Sequence, residues 1–240
     1  MGTAARYGSR VRIGREEVPT LSFSEMSVTS ALTREQAIAR ILELTGQPEA
    51  TGGRPWVVVM VGLPGSGKST FSRGLARATG AIVLESDALR AALFETPTHL
   101  PDESKQLFEA LYGAAHRLVQ AGASVIIDAT NLREQDRQRA YDLAEVTGAE
   151  MLVLHFRVPE RIIADRLTKR DSGGDPDDKS KAGLAVYAKL AETEEPVSRE
   201  HWKIDTSDAV ATEAALHRAI ETLRPLRERA KGQNTGGSIS

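Results

Sequence analysis

The run Gly62-Leu63-Pro64-Gly65-Ser66-Gly67-Lys68-Ser69 constrains this chain more than any other stretch. It follows an unbroken apolar segment, Trp56-Val57-Val58-Val59-Met60-Val61, and opens a helical pattern that stops at Gly80. A β-branched run without polar alternation suits a strand covered on both faces. The spacing Gly-x-x-x-x-Gly-Lys-Ser lets backbone N–H groups converge on phosphate oxygens, and the helix N-terminus adds its partial positive charge. Gly62, Pro64, Gly65, Ser66, Gly67 and Thr70 then form the cradle. Lys68 is placed to reach the β- and γ-phosphates, and the Ser69 hydroxyl to hold Mg²⁺. The four fixed positions arise by chance in roughly one chain in a hundred of this length. ATP with Mg²⁺ is the expected ligand.

From there the sequence alternates short apolar runs with amphipathic ones. Strands are expected at 81–84, 124–128, 151–156 and 202–205, and helices at 101–121, 132–147, 159–170, about 180–194 and about 209–223. The alternation predicts a three-layer α/β fold, with a five-stranded parallel sheet between helices. This main domain is expected over 55–225. Ahead of it, residues 1–30 are rich in Ser, Thr, Arg and Gly and show no period. Thr33-Arg34-Glu35-Gln36 then offers a capped start for one helix of an N-terminal extension, 1–54. A Gly/Ser-rich tail, 226–240, is expected to fray.

Composition removes several chemistries. The chain has no cysteine, which excludes disulfides, thiolate metal sites and a cysteine nucleophile. No apolar stretch has the length of a signal-peptide core or a membrane span, so no membrane partner and a cytoplasmic location are expected. The formal net charge of −2 advertises no global field for nucleic acid, although a local basic groove is compatible with it.

The acceptor of the γ-phosphoryl is the remaining question. The third strand ends Asp128-Ala129-Thr130-Asn131, with one acid suited to Mg²⁺ and no neighbouring glutamate placed to activate water. That favours an organic acceptor. Asp87 and Arg90 lie one helical turn apart after the second strand, facing the same way. At the carboxyl end of a strand beside the phosphate loop, Asp87 can take the proton of an attacking hydroxyl. Arg90 can hold the acceptor or steady the transferring group. The plainer alternative is that Ser86 or Asp87 caps a helix. Further on, Arg166 and Arg170 form an i,i+4 pair before a Gly/Asp/Pro loop, as a lid over the phosphates at about 159–182 would need. The alternative is a solvated basic face.

Together, Gly-Leu-Pro-Gly-Ser-Gly-Lys-Ser-Thr, Asp87-x-x-Arg90, Val-Ile-Ile-Asp-Ala-Thr-Asn-Leu and the helix ending Arg166-Leu-Thr-Lys-Arg170 resemble the polynucleotide-kinase-type and zeta-toxin-like P-loop kinases. The resemblance covers residues 56 to about 206. It implies an adenylate-kinase-like sheet with a lid, and ATP-dependent phosphorylation of a hydroxyl, either a nucleic-acid 5′ end or a small molecule. By position it makes Lys68, Asp87, Arg90 and Arg170 catalytic and has Ser69, or Thr70, serve Mg²⁺. The residues themselves make Arg166, with Arg170, a phosphate contact, and give Asp128 a Mg²⁺ role, either as a direct ligand or through a ligand. Thr130 and Asn131 fall on the acceptor side. The stretch Phe94 to Pro101 shapes the acceptor pocket. A nucleotide-binding regulatory module is the competing reading.

Overall fold

Five parallel strands form one sheet in the order β2–β3–β1–β4–β5. They are β1 (Trp56–Val61), β2 (Ile82–Glu85), β3 (Val125–Asp128), β4 (Glu150–Phe156) and β5 (Trp202–Ile204). The structure is a computed structural model that describes residues 32–46, 53–171 and 184–228, without the side chains of 168–171, 184–185 and 225–228. The expected irregular opening, most of the linker before β1, most of the loop after Arg170 and most of the tail lie outside the described residues.

The unbroken apolar character of β1 has a simple cause. Its side chains alternate between two cores, one on each face of the sheet. Val57, Val59 and Val61 join Leu84, Val125, Ile127 and Val153 beneath α4 (Pro101–Gln120) and α5 (Glu134–Thr147). Trp56, Val58 and Met60 join Ile126, Leu154 and Phe156 beneath α2 (Lys68–Thr79) and α8 (Ala209–Glu228). Neither face meets water, so neither tolerates a polar position. The remaining helices are α1 (Arg34–Thr45), α3 (Ser86–Leu93), α6 (Glu160–Asp171) and α7 (Leu184–Ala191).

Helix α1 starts as its sequence predicts. The Thr33 hydroxyl accepts from the Gln36 amide at 3.3 Å, and the Gln36 side chain accepts from the Thr33 amide at 2.9 Å. Its buried Ala37, Ile38 and Ile41 belong to the first core, together with α4 and β1. The approach is close enough to explain a glycine in the middle of α4. A methyl at Gly113 would stand 2.4 Å from Ile38 Cδ1.

Some boundaries differ from expectation, each for a local reason. Helix α5 begins at Glu134 rather than Leu132, because Asn131 turns to φ 46° and Arg133 is extended. Helix α7 ends at Ala191, freeing the chain so that the Glu195 amide donates to Leu132 O at 3.0 Å. Helix α8 continues past Leu223 and through Pro225. No helix among the described residues is long and apolar enough to cross a membrane.

Candidate active site

The phosphate loop runs from the end of β1 into α2, and its glycines are sterically required. Pro64-Gly65 forms the corner of a turn closed by the Ser66 amide on Leu63 O at 3.2 Å. Gly65 there has φ 81°, as the third position of a type II turn demands. A Cβ on Gly62 would lie 2.8 Å from Phe156 O, and one on Gly67 would lie 2.9 Å from Thr206 Oγ1. Lys68 is buried and reaches back along the loop, donating from Nζ to Gly62 O at 2.8 Å and Leu63 O at 2.9 Å. The Ser66 hydroxyl is buried with no hydrogen-bond partner among the described residues. An orphaned donor, a buried ammonium and a helix start crowded around side-chain-free backbone fit a polyphosphate.

Asp128, at the end of β3, is 3% exposed and accepts from Ser72 Oγ at 2.8 Å. Burial pushes its carboxyl above the usual range. The Lys68 charge and the hydroxyls of Ser72 and Ser69 oppose that rise, and the negative charge of Asp87 adds to it. These groups therefore share one electrostatic neighbourhood. Ser69 and Asp128 supply hard oxygen donors beside the phosphate cradle, which fits Mg²⁺, a cation that takes only one or two protein ligands when phosphates are present.

Strand order explains how Asp87 arrives. β3 lies between β1 and β2, with Asp128 level with Met60 on one side and Glu85 on the other. Two residues beyond Glu85, Asp87 occupies the first turn of α3. It is half-buried, and its side chain makes no hydrogen bond or ion pair among the described residues. Neither Ser86 nor Asp87 caps the helix, because the capping position falls on Glu85 and carries no side-chain cap.

Arg90 is placed differently from the expectation of an acceptor or phosphate contact. Its guanidinium is buried, paired through Nη1 with Glu103 and donating from Nη2 to Ser104 Oγ at 3.2 Å. The Glu103 carboxylate also accepts from Thr98 N and Thr98 Oγ1, both at 2.6 Å, and from His99 N at 3.0 Å. Arg90 thus fastens the stretch before α4, where His99 has φ 57°. Asn131 likewise turns inward, its Nδ2 donating to Met60 O at 2.8 Å.

On the far side of the loop, α6 lies directly against the phosphate cradle. Ile163 Cγ2 is 3.0 Å from where a Gly65 Cβ would stand, and Ile163, Leu167 and Tyr187 form a small core with Leu63 and Val158. Arg166 donates from Nη1 to Gly65 O at 3.2 Å and Thr206 Oγ1 at 2.9 Å, and from Nη2 to Thr206 O at 2.5 Å. The side chain of Arg170 lies outside the described residues.

Sequence reasoning did not find two residues here. Thr206 follows β5 in an ordinary polar turn and carries no motif. Arg137 is fully buried and spends all five N–H donors: Nε on Glu134, Nη1 on Asn131 O and Leu132 O, and Nη2 on Glu195 O and Pro196 O. It binds the loop after β3 to the segment after α7. A surface-looking helical pattern around it, Glu134-Gln135-Asp136-Arg137-Gln138, gave no hint of burial.

Comparison with known proteins places this geometry. The chain is 31% identical over 144 residues to the uncharacterized protein Rv2004c of Mycobacterium tuberculosis (strain ATCC 25618 / H37Rv). That match takes in 55% of this chain and 28% of the relative, so the chain spans well under half the length of the curated relatives it matches. Among solved structures, a sugar kinase from Janibacter sp. HTCC2649 is 22% identical with a TM-score of 0.55, covering 73% of this chain and 98% of its own. The APS kinase CysC of Mycobacterium tuberculosis, solved with AMPPNP and APS, is 20% identical with a TM-score of 0.52, covering 72% and 99%. These two likenesses establish a P-loop kinase-like fold. Residues 57–197, which carry the phosphate loop, the Asp87 helix, Asp128 and α6, match the AAA domain family AAA_33, and the chain belongs to that family.

Proposed function

We propose that this chain is a phosphotransferase that moves the γ-phosphoryl group of ATP to a hydroxyl acceptor, with Asp87 as general base. The carrying observation is Asp87 itself. It is a half-buried carboxylate in the first turn of α3, just beyond β2, its side chain without a hydrogen-bond or ion-pair partner among the described residues, and electrostatically coupled to the Asp128–Lys68 neighbourhood. A carboxylate kept unpaired in such a place is available to accept a proton.

The residues divide the work. The cradle amides and Lys68 hold the polyphosphate and meet the charge that develops on it. Ser69 and Asp128 would hold Mg²⁺, which supplies charge neutralisation when bound. Asp87 takes the proton from the acceptor hydroxyl. The Arg90–Glu103 pair fixes the stretch 98–104 that flanks the acceptor side. The finer assignment to the polynucleotide-kinase-type or zeta-toxin-like kinases rests on the motifs quoted above. A small-molecule acceptor is supported equally by the slightly negative net charge and by likeness to proteins named as a sugar kinase and an APS kinase.

The test is acceptor-dependent ADP release with ATP, Mg²⁺ and separate pools of 5′-hydroxyl oligonucleotides, nucleosides, nucleotide sugars and small alcohols. One pool should raise turnover, and Asp87→Asn should lower it by about 10²–10⁴-fold while ADP binding persists. Release that ignores every acceptor and survives Asp87→Asn would sink the reading.

A further inference from the structure

We propose that Arg166 and Thr206 are positioning residues of the nucleotide site, acting on the phosphates through the backbone of the loop rather than by touching them. The inference rests on the nucleotide-binding reading of the loop and adds to it a pair of residues outside the motif.

The two side chains form one hydrogen-bonded unit. Thr206 Oγ1 accepts from Arg166 Nη1 at 2.9 Å and donates its own proton to Ser66 O at 2.8 Å. Arg166 Nη1 also reaches Gly65 O at 3.2 Å, and Nη2 holds the Thr206 carbonyl at 2.5 Å. Two successive carbonyls of the loop are therefore gripped from the side of α6 and β5. In a trans peptide, the C=O of one residue and the N–H of the next point in opposite directions. Holding Ser66 O towards Thr206 thus turns the Gly67 N–H away from it, into the start of α2, where the first-turn amides have no partner within the helix. A hydroxyl donating to that carbonyl also polarises the peptide and strengthens its N–H as a donor.

Steric evidence agrees. A Cβ on Gly67 would stand only 2.9 Å from Thr206 Oγ1, so the threonine packs against the loop as closely as a bare glycine allows. The guanidinium, meanwhile, has protein oxygens on both Nη atoms. Arg166 thereby ties α6 to the cradle, and α6 adds Ile163 and Leu167 against Gly65. A loop preset in this way loses less freedom when it closes on phosphate.

The test uses the full chain and measures binding of Mg-ADP and Mg-AMPPNP by calorimetry, with melting of each nucleotide-free variant as the control for folding. Thr206→Val keeps the shape and removes the hydroxyl, and should weaken both ligands by ~10-fold. Thr206→Ser should restore affinity to within about two-fold of the parent. Arg166→Gln should weaken ADP and AMPPNP by the same factor. The double variant should be less than additive, because both changes break one network. Parent-like affinity in Thr206→Val, failure of Thr206→Ser to rescue, or an Arg166→Gln loss confined to AMPPNP would each overturn the proposal. The last result would make Arg166 a γ-phosphate ligand. ADP binding requires no acceptor, so a chain that binds ADP but phosphorylates nothing removes the phosphotransfer reading, while these affinities still decide the role of the pair.

Discussion

Arg90 and Glu103 form an ion pair with both side chains buried, 7% and 8% exposed, joining α3 to the first turn of α4. Burial would raise the Glu103 carboxyl, but donors from Thr98, Arg90 and His99 outweigh it and hold the group at about 2, below its ordinary 4.5. A carboxyl depressed in the folded state contributes stability above its unfolded value, and that contribution is lost as pH falls through the folded one. Urea unfolding should therefore show stability declining from about pH 4.5 towards pH 2. Glu103→Gln should flatten that decline. At neutral pH it should cost about 3–5 kcal/mol, because it strands a buried guanidinium. An unchanged acid profile in the variant would show that Glu103 is not the group responsible.

Asp128 offers a test of the metal site that needs no acceptor. Its carboxyl adjoins Ser69 and Lys68 and accepts from Ser72. If it helps to hold Mg²⁺, Asp128→Asn should keep the rise in melting temperature caused by ADP alone and lose the extra rise caused by Mg²⁺. An intact Mg²⁺ increment in the variant would remove Asp128 from the metal's surroundings.

Arg137 should matter for stability more than its place in a polar helical stretch suggests. Arg137→Lys keeps the charge but cannot reproduce five N–H bonds directed at four backbone carbonyls and Glu134. A loss of about 3–5 kcal/mol is expected in chemical denaturation. Limited proteolysis should show faster cleavage near 193–199, the segment this residue fastens. Equal protection in both proteins would mean that other bonds, such as Glu195 N to Leu132 O, suffice to hold it.

Gly113 tests the packing of α1. An alanine there gains about 1 kcal/mol in helix propensity. Its methyl, however, would meet Ile38 Cδ1 at 2.4 Å and Cγ1 at 3.0 Å, so the buried Ile38 must shift, and such overpacking typically costs about 1–3 kcal/mol, enough to outweigh the gain. Gly113→Ala should therefore melt lower than the parent. Adding Ile38→Val, which deletes the clashing methyl, should recover part of the loss. A double variant less stable than Gly113→Ala would show that the two positions do not oppose each other.

The sheet, the loop and most helices were legible because each carries a local signal. Continuous Val/Ile runs announce doubly covered strands, and the Gly-x-x-x-x-Gly-Lys-Ser spacing announces the cradle. The partnerships were not legible. Arg90 reads as available for a ligand until Glu103, thirteen residues on, claims it. Arg137 reads as surface until the chain returns 58 and 59 residues later with two carbonyls. Thr206 meets Ser66 across 140 residues. Such contacts are set by how the sheet brings loops together at one edge, and periodicity within a helix holds no trace of them.

The burial of α1 alters where this folding unit starts. The family match begins at residue 57, the second residue of β1. Yet Ile38 and Ile41 are 2% and 0% exposed in the same core as Val57 and Leu111. A fragment cut at the family boundary would leave α4 with its outer wall missing and its apolar floor open to water. The family match marks the nucleotide-binding scaffold, whereas the core that scaffold folds around reaches back to Ala37.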